Sequence, residues 1–360
     1  MRRGISMFLW NYLARTDKTV VMYGMGNGAD KILAVCKKYG VEVADFFASD
    51  EFVRGQAFHG KTVLKFSDVT EKYGKDNIIV LVSFASSLPD VMNNIIRVAE
   101  VCETYVPDVP VRGDNVFSKE FASINDGNIK KARELLSDAR SKEVYDGVWN
   151  FRKSGRLDDL IPTADDRSAV MQELLDTANY TSAVDLGAYD GDTARELIEL
   201  CPHIRSITAF EPDRRNFRKL FASAEGDDRI IPLNCAAWKE DTTLIFDDSG
   251  NRNAGLDENG KSKRHAEVEA KAVDSVIKDK VDYVKYDVEG AEEEAILGSA
   301  NTIRAYKPDL LISVYHRTED LFKLILLIKE ICPEYSLYLR RYPYIPAWDL
   351  NLIATVRKLP

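Results

Sequence analysis

Short apolar runs alternate with longer amphipathic segments in two separate stretches of the chain. In the first stretch, the run TVVMY begins at Thr19 and leads through a glycine loop into an amphipathic segment and a second apolar run, VADFF. A third run, IIVLV, begins at Ile78. Apolar strands that alternate with helices are typical of open parallel sheets. The pattern therefore predicts a small α/β domain over residues 1–114.

The glycine loop of this first stretch fits the nucleotide-binding pattern G-x-G-x-x-G/A. Gly24, Gly26 and Ala29 occupy its positions, and Asp50 closes the second strand, where a ribose-binding acid would lie. Two interpretations follow. Either the loop binds a dinucleotide or nucleotide-sugar with its phosphate at the helix N-terminus, or the Rossmann-like domain retains the turn for packing.

Residues 115–180 change to polar sequence with charges on most turns. Apolar residues such as Leu136, Val144, Val148 and Phe151 recur there at roughly helical spacing. This spacing indicates amphipathic helices that pack against neighbouring structure. Proline and glycine are too few for a flexible tether. The segment is therefore predicted to be a helical connector.

The second stretch begins at Ser182 and carries more information about function. The apolar run SAVDL is followed by the turn GAYDG and by a segment of helical pattern, with Asp192 and Thr193 at the predicted helix start. The next run, SITAF, ends directly at Glu211. A carboxylate at the tip of the second strand, beside the glycine turn, is placed to accept hydrogen bonds from two ribose hydroxyls.

Asp185 distinguishes this glycine turn from the first one. A carboxylate at the turn would repel a pyrophosphate, but it suits a nucleoside that has no phosphate and carries positive charge. S-adenosylmethionine, with its ammonium and sulfonium groups, is such a ligand. The alternative is a generic turn with a helix-capping aspartate.

The remaining apolar runs complete a second sheet over residues 181–360. IIPLNCAAW, VDYVKYD and DLLISVYH alternate with helical segments, whereas YSLYLRR and DLNLIATV follow each other without a helix and should pair antiparallel at one edge. A mostly parallel sheet with a reversed final hairpin is the architecture of class I methyltransferases. Its ligands bind beyond the carboxyl ends of the strands.

Four motifs in this order resemble the FkbM-type S-adenosylmethionine-dependent methyltransferases: VDLGAYDGDT, AFEPD, KYDVEGAE and ISVYHRTEDL. The resemblance covers roughly residues 141–360, so the first domain is an addition to it. It implies O-methylation (EC 2.1.1 type), often of sugar hydroxyls in surface polysaccharides or natural products. It also implies that the glycine turn surrounds the methionine part, that Glu211 binds the ribose, and that the turn from Asn234 lies beside the adenine. The expected cofactor-binding residues are Asp185, Gly187, Ala188, Tyr189, Gly191, Thr193, Glu211, Pro212, Asn234, Cys235 and Ala236.

An alcohol is a poor nucleophile at neutral pH, so methyl transfer to oxygen needs a general base or a metal. Asp287, Glu289 and His316 follow two adjacent predicted strands and are the candidate catalytic residues. His316 could accept the substrate proton while Glu289 holds its other ring nitrogen. The same three residues could bind Mg²⁺, Mn²⁺ or a related ion. The third interpretation is structural, with Glu289 capping the following helix and His316 buried as a core residue.

Composition and charge limit the remaining possibilities. Hydrophobic residues make up 45% and charged residues 30% of the chain, which is typical of a soluble globular protein. The net charge of −9 makes nucleic acid an unfavourable partner. Five cysteines without a CxxC motif indicate neither a disulfide framework nor a zinc site. No apolar run is long enough to span a membrane, and a cytoplasmic location is expected.

These motifs thus favour an S-adenosylmethionine-dependent O-methyltransferase acting on a small-molecule or glycan acceptor. The alternative is a nucleotide or nucleotide-sugar binding protein that works through the first glycine loop. The residues from Asp247 to Glu258 have the spacing of a calcium-binding loop but lack its central glycine, and the stretch to Lys263 is interpreted as a polar loop over the crevice.

Overall fold

The computed structural model describes residues 8–247 and 265–357. The first part of the chain contains the strands β1 (Thr19–Tyr23), β2 (Val43–Ala48), β3 (Ala57–Phe58), β4 (Lys61–Thr62), β5 (Leu64–Lys65), β6 (Ile78–Val82) and β7 (Glu103–Tyr105). Its helices are α1 (Leu9–Leu13), α2 (Asn27–Tyr39), α3 (Phe66–Tyr73) and α4 (Pro89–Val101). A five-stranded parallel sheet has the order β5-β2-β1-β6-β7. The strands extend on both sides of β1, as in a Rossmann-like sheet, and this confirms the predicted fold.

Helices fill the segment between the two sheets. They are α5 (Lys119–Glu134), α6 (Ala139–Ser154), α7 (Leu157–Leu160) and α8 (Arg167–Leu174). Side chains of Ser118, Asp138 and Asp166 accept hydrogen bonds from the first-turn backbone of α5, α6 and α8. Such caps satisfy backbone N–H groups that have no partner inside the helix, so the sequence fixes where each helix begins.

The second sheet is larger and mixed. Its part of the chain contains the strands β8 (Ser182–Leu186), β9 (Ser206–Phe210), β10 (Ile230–Leu233), β11 (Ala236–Ala237), β12 (Thr242–Asp247), β13 (His265–Lys271), β14 (Tyr283–Tyr286), β15 (Asp309–Ser313), β16 (Ser336–Arg341) and β17 (Leu350–Thr355). The helices are α9 (Asp192–Leu200), α10 (Arg214–Ala224), α11 (Val273–Val276), α12 (Glu292–Leu297), α13 (Ala300–Tyr306) and α14 (Asp320–Ile331). The seven-stranded order is β10-β9-β8-β14-β15-β17-β16. The final hairpin is antiparallel as predicted, with β17 inserted between β15 and β16.

Helix α6 covers the exposed edge of this sheet. The edge strand β16 has no further strand beside it, so its outer N–H groups need other partners. The Ser137 hydroxyl accepts from the Leu337 N–H, and the Ser141 hydroxyl accepts from the Leu339 N–H, each at 2.9 Å. The helical connector therefore completes the second sheet.

The segment of residues 106–115, here called the interdomain strap, joins the first sheet to the second. The Val106 N–H donates to Gly155 at the end of α6, and the Arg112 N–H donates to the carbonyl of His316 beyond β15. One continuous apolar cluster contains Val80 of the first sheet, Val148 of α6 and Val284 of the second sheet. The two sheets are thus packed through the connector.

The segment with the spacing of a calcium-binding loop, and the polar loop expected over the crevice, fall largely on residues 248–264, outside the described residues. The domain limits at residues 114 and 180 stay a prediction. Across the described ranges, no helix is both long and apolar enough to cross a membrane. All five cysteines are buried free thiols.

Candidate active site

A cavity of about 660 Å³ lies at the carboxyl ends of β8, β9, β14 and β15. Its size is within the range of small-molecule and cofactor sites. One side is lined by the glycine turn after β8 and by the end of β9, and the other by the loops after β14 and β15. The crevice expected from the topology is therefore present in the structure.

Gly187 allows the glycine turn after β8 to lie against the neighbouring loop. Its φ is +85°, and a Cβ at this position would stand 2.0 Å from the carbonyl oxygen of Asp287. Any other residue would push apart the two loops that line the cavity. The Gly187 and Ala188 N–H groups both donate to the Phe210 carbonyl, which fixes the turn to the end of β9.

Glu211 connects the same two loops with its carboxylate. Its Oε2 accepts from the Tyr189 N–H and its Oε1 from the Asp213 N–H, both at 2.8 Å. The residue is 6% exposed and lines the cavity. Burial raises the pKa of Glu211 to about 7, although the two backbone N–H groups oppose the shift.

Asp185 lies deeper than the sequence indicated. It pairs in register with Lys285 on β14, and Lys285 Nζ lies 3.1 Å from its Oδ1. Asp185 is fully buried and does not line the cavity. Burial opposes the charge of Lys285, but Asp185 and Asp287 outweigh this cost and raise the pKa of the lysine. Lys285 therefore balances the charge that was expected to attract a cationic ligand.

The other predicted cofactor residues fall into two groups. Those that line the cavity, in addition to Glu211, are Gly187, Tyr189, Thr193, Pro212 and Ala236. Those that do not line it, in addition to Asp185, are Ala188, Gly191, Asn234 and Cys235. Asn234 supports the site from behind, because its Nδ2 donates to the carbonyls of Glu211 and Pro212.

The three predicted catalytic residues come together at the other side of the cavity. Asp287 and Glu289 line it, whereas His316 is completely buried behind them. His316 Nε2 lies 3.7 Å from Asp287 Oδ1 and 3.8 Å from Glu289 Oε2. The ring nitrogen Nδ1 lies 2.9 Å from Glu292 Oε1. The partner on that nitrogen is thus Glu292, where the sequence had suggested Glu289.

The carboxylates around His316 determine its charge. Burial lowers the pKa of the ring, but Glu292, Glu289 and Asp287 outweigh it and raise the pKa of His316 to about 10. Burial likewise raises the pKa of Glu289 to about 7 against the attraction of His316. A ring that is protonated on both nitrogens accepts no proton. The proton acceptors that face the cavity are therefore the carboxylates.

Four of the aromatic side chains that line the cavity are here called the aromatic wall. Its members are Trp238, Tyr315, Tyr344 and Trp348. The rings of Tyr315 and Trp348 are stacked with centroids 6.2 Å apart, and Trp348 also contacts Tyr344 at 5.8 Å. Tyr344 and Trp348 come from the loop between β16 and β17, which carries none of the recognised motifs.

Arg167 is a cavity residue that the sequence did not indicate. It opens α8, donates to both carboxylate oxygens of Glu196 at 3.0 and 2.7 Å, and lies over the ring of Tyr342. Val111, from the interdomain strap, also lines the cavity. Both residues are far from the recognised motifs in sequence. They reach the site because α8 and the strap fold against the second sheet.

The first glycine loop has a different environment. A Cβ on Gly24 would stand 2.6 Å from the Phe84 ring, so this side chain lies directly beside the turn. The loop that carries Phe84 is fixed by two backbone hydrogen bonds between Ser86 and Ile345 of the second domain. The crevice at this end of the first sheet is therefore occupied in part by the protein's own residues.

The fold and cavity define the class of the protein. A sheet of order β10-β9-β8-β14-β15-β17-β16 with one reversed strand is that of a class I methyltransferase. Residues 185–345 match the model of the family described as "Methyltransferase FkbM domain". The match to the FkbM methyltransferase domain lies within the part of the chain that carries the second sheet, and it confirms the resemblance drawn from the motifs.

Solved structures show how far the similarity of fold extends. Methyltransferase FkbM from Methylobacillus flagellatus KT has a TM-score of 0.74 and 20% identity, over 97% of this chain and 94% of that chain. The shared fold thus includes the first domain. Aeropyrum pernix fibrillarin in complex with natively bound S-adenosyl-L-methionine has a TM-score of 0.34 and 14% identity, over 52% of this chain and 73% of that chain. Precorrin-6y C5,15-methyltransferase from Geobacter metallireducens GS-15 has a TM-score of 0.32 and 13% identity, over 52% of this chain and 85% of that chain. No curated protein sequence matches the chain.

Proposed function

We propose that this methyltransferase transfers the methyl group of S-adenosylmethionine to a hydroxyl oxygen of a sugar or glycoconjugate. The observation that carries the proposal is the position of Glu211, a buried carboxylate that faces the same cavity as Glu289 and the aromatic wall. Carboxylates accept two hydrogen bonds from a ribose diol. The cavity therefore offers one end to a nucleoside and the other to an acceptor.

The cofactor end is assigned from charge and shape. Glu211 accepts from the ribose hydroxyls, and the glycine turn, which contributes Gly187 and Tyr189 to the lining, lies beside the methionine part. Arg167 is a cation at the same end of the cavity and suits the methionine carboxylate. Asp192 and Glu196 also line this part and suit the ammonium group. The bound cofactor supplies an electrophilic methyl group on a sulfonium.

The acceptor end is assigned from the aromatic wall and the carboxylates. Tyr315 and Trp348 present flat surfaces of the kind on which sugar rings stack, beside the polar groups of Asp287 and Glu289. Glu289 faces the cavity and takes the hydroxyl proton as the general base. His316 lies behind Glu289 and Asp287 and stabilises their negative charge. The chain thus orients the acceptor and removes its proton.

Ligand binding tests the cofactor assignment. The wild-type chain is titrated calorimetrically with S-adenosylmethionine, S-adenosylhomocysteine, NAD and a nucleotide-sugar, each separately. We expect binding of the two S-adenosyl ligands only, with affinity lost in Glu211→Ala and retained in the exposed control Glu225→Ala. Binding of NAD or a nucleotide-sugar alone would instead support the first glycine loop as the working site.

Turnover tests the acceptor assignment. Sugars, nucleotide-sugars and glycans are incubated with cofactor labelled at its methyl group, and the label is located by mass spectrometry. We expect the label on a hydroxyl oxygen of a sugar. Label on nitrogen or carbon, or transfer only to acceptors without a sugar, would contradict this part of the proposal while leaving the methyltransferase assignment intact.

A further inference from the structure

Three elements converge on a polar cluster directly behind the acceptor end of the cavity. Asp287 follows β14, Glu292 opens α12 and His316 lies shortly after β15. Each offers one atom able to bind a metal, and these atoms lie within 4.8 Å of one another. Carboxylate and imidazole ligands suit a divalent cation such as Mn²⁺.

The hydrogen bonds around the cluster orient these side chains but leave ligand atoms available. Glu292 Oε1 accepts from the N–H groups of Val288 and Gly290, and Asp287 Oδ1 accepts from Ser313. Glu292 Oε2 and His316 Nε2 are buried and make no hydrogen bond within the described residues. Both residues are at most 1% exposed, and such atoms are costly without a partner.

The local charge also favours a cation. Glu289 Oε2 lies 3.8 Å from His316 Nε2 and adds a third carboxylate to Asp287 and Glu292. The nearest lysine, Lys285, is shared with Asp185, and its Nζ stands 3.9 Å from Asp287 Oδ2. Glu292 is fully buried, whereas Asp287 and Glu289 keep 34% and 27% of their side chains exposed, and carboxylates this close together repel one another unless positive charge compensates them. A metal ion supplies two charges at the centre of the cluster.

We propose that Asp287, Glu292 and His316 form a binding site for one divalent cation, of which Mn²⁺ is the probe of choice. Asp287 is one-third exposed to the cavity, so the ion is reached from the acceptor end. Glu292 and His316 hold it from the buried side, and the ion displaces the proton that His316 Nε2 carries in the metal-free chain. The hydrogen bonds to Val288, Gly290 and Ser313 keep the carboxylates in position, as outer-shell contacts do in metal sites.

The role of the ion in the reaction rests on the proposed function. An acceptor hydroxyl that binds the ion becomes more acidic. Its O–H bond then breaks and the proton passes to Glu289, while the oxygen forms a bond to the methyl carbon. The methyl–sulfur bond breaks with its electron pair on sulfur, which leaves neutral S-adenosylhomocysteine. An acceptor with two neighbouring oxygens, such as a sugar diol, chelates the ion best.

Direct metal binding tests the site without any turnover. The chain is stripped with EDTA, dialysed and titrated with Mn²⁺, and bound ion is measured by loss of the electron paramagnetic resonance signal of free Mn²⁺. We expect one ion per chain. Glu292→Gln and Asp287→Asn should each weaken binding by about tenfold or more. The control Glu294→Gln, on the same helix α12, should bind Mn²⁺ like the wild type.

Thermal unfolding of each variant shows whether it is folded. Asp287 is partly exposed, so Asp287→Asn should fold and can still test the site if Glu292→Gln does not fold. Absence of bound Mn²⁺, or equal binding by wild type and both ligand variants, overturns the site. Calorimetry with S-adenosylmethionine separates the two proposals. Cofactor binding without Mn²⁺ binding overturns the metal site alone, whereas Mn²⁺ binding without cofactor binding supports the site and overturns the proposed function.

Discussion

At the residue scale, the ribose contact proposed for Glu211 predicts that cofactor binding depends on pH. Its folded-state pKa is about 7, so the carboxylate fraction rises between pH 6 and pH 8. Because the carboxylate form accepts both ribose hydrogen bonds, the affinity for S-adenosylmethionine should increase over this interval and level off above it. Calorimetric titrations across the range measure this. Glu211→Gln should bind more weakly and with no such rise, and a wild-type affinity that falls with pH would contradict the assignment.

The same shift affects folding stability with the opposite sign. The pKa of Glu211 is raised above the ordinary glutamate value, so the folded chain holds a proton that the unfolded chain has released between about pH 4.5 and pH 7. Stability from this residue is therefore present at low pH and is lost as pH rises through 7. Cofactor affinity and unliganded stability thus change in opposite directions at this one residue.

Glu289 is the residue on which turnover should depend most. We expect Glu289→Gln to lower kcat by about 10²- to 10⁴-fold, because the amide accepts no proton from the acceptor. The affinity for S-adenosylmethionine should change little, since β9, which leads into Glu211, and β14, which leads into Glu289, lie on either side of β8. Glu294→Gln is the matched control. A parallel loss of cofactor affinity would show instead that Glu289 maintains the shape of the cavity.

At the element scale, the contact between α6 and the edge strand β16 stabilises the second sheet. Ser141 is fully buried and accepts from the Leu339 N–H and from Arg340, at 2.9 and 2.8 Å. Ser141→Ala leaves both donors without this partner, at a cost of about 1–3 kcal/mol. The thermal unfolding midpoint should fall by several degrees, whereas the exposed Ser168→Ala should leave it unchanged. An unchanged midpoint in Ser141→Ala would show that the strand edge needs no cover from α6.

The helices and strands could be predicted from the sequence more accurately than the side-chain contacts between different elements. Strands β8, β9, β14 and β15 coincide with apolar runs, so these strands and the crevice at their carboxyl ends could be predicted from the pattern, whereas their order in the sheet could not. Glu292 lies within the motif KYDVEGAE, but its contact with His316 Nδ1 depends on the path of the loop after β14. Arg167 reaches the cavity from α8, which depends on packing between elements that no local pattern encodes.

At the scale of the whole molecule, the first domain contributes to the site of the second through the interdomain strap. Lys31 on α2, the helix after the first glycine loop, donates to the carbonyls of Pro110 and Val111 at 3.1 and 2.6 Å. The next residue, Arg112, donates through Nε to the carbonyl of Glu289 at 3.1 Å. Glu289 has a φ of +54°, an unfavourable backbone conformation that its surroundings must maintain. The strap therefore positions the residue assigned as the base.

This chain of contacts predicts that a substitution in the first domain slows turnover without weakening cofactor binding. Arg112→Ala removes the bond to Glu289, and we expect kcat to fall about tenfold or more, because small displacements of a catalytic group are costly. Lys31→Met acts one contact further away and should have a smaller effect of the same kind. In both variants the affinity for S-adenosylmethionine should stay within about twofold of the wild type, since the Glu211 carboxylate is held by the N–H groups of Tyr189 and Asp213. The exposed Arg97→Ala on α4 controls for loss of charge. Equal kcat in Arg112→Ala and Arg97→Ala would mean that Glu289 keeps its conformation without the contact from the strap. The first domain would then have a role other than support of the site.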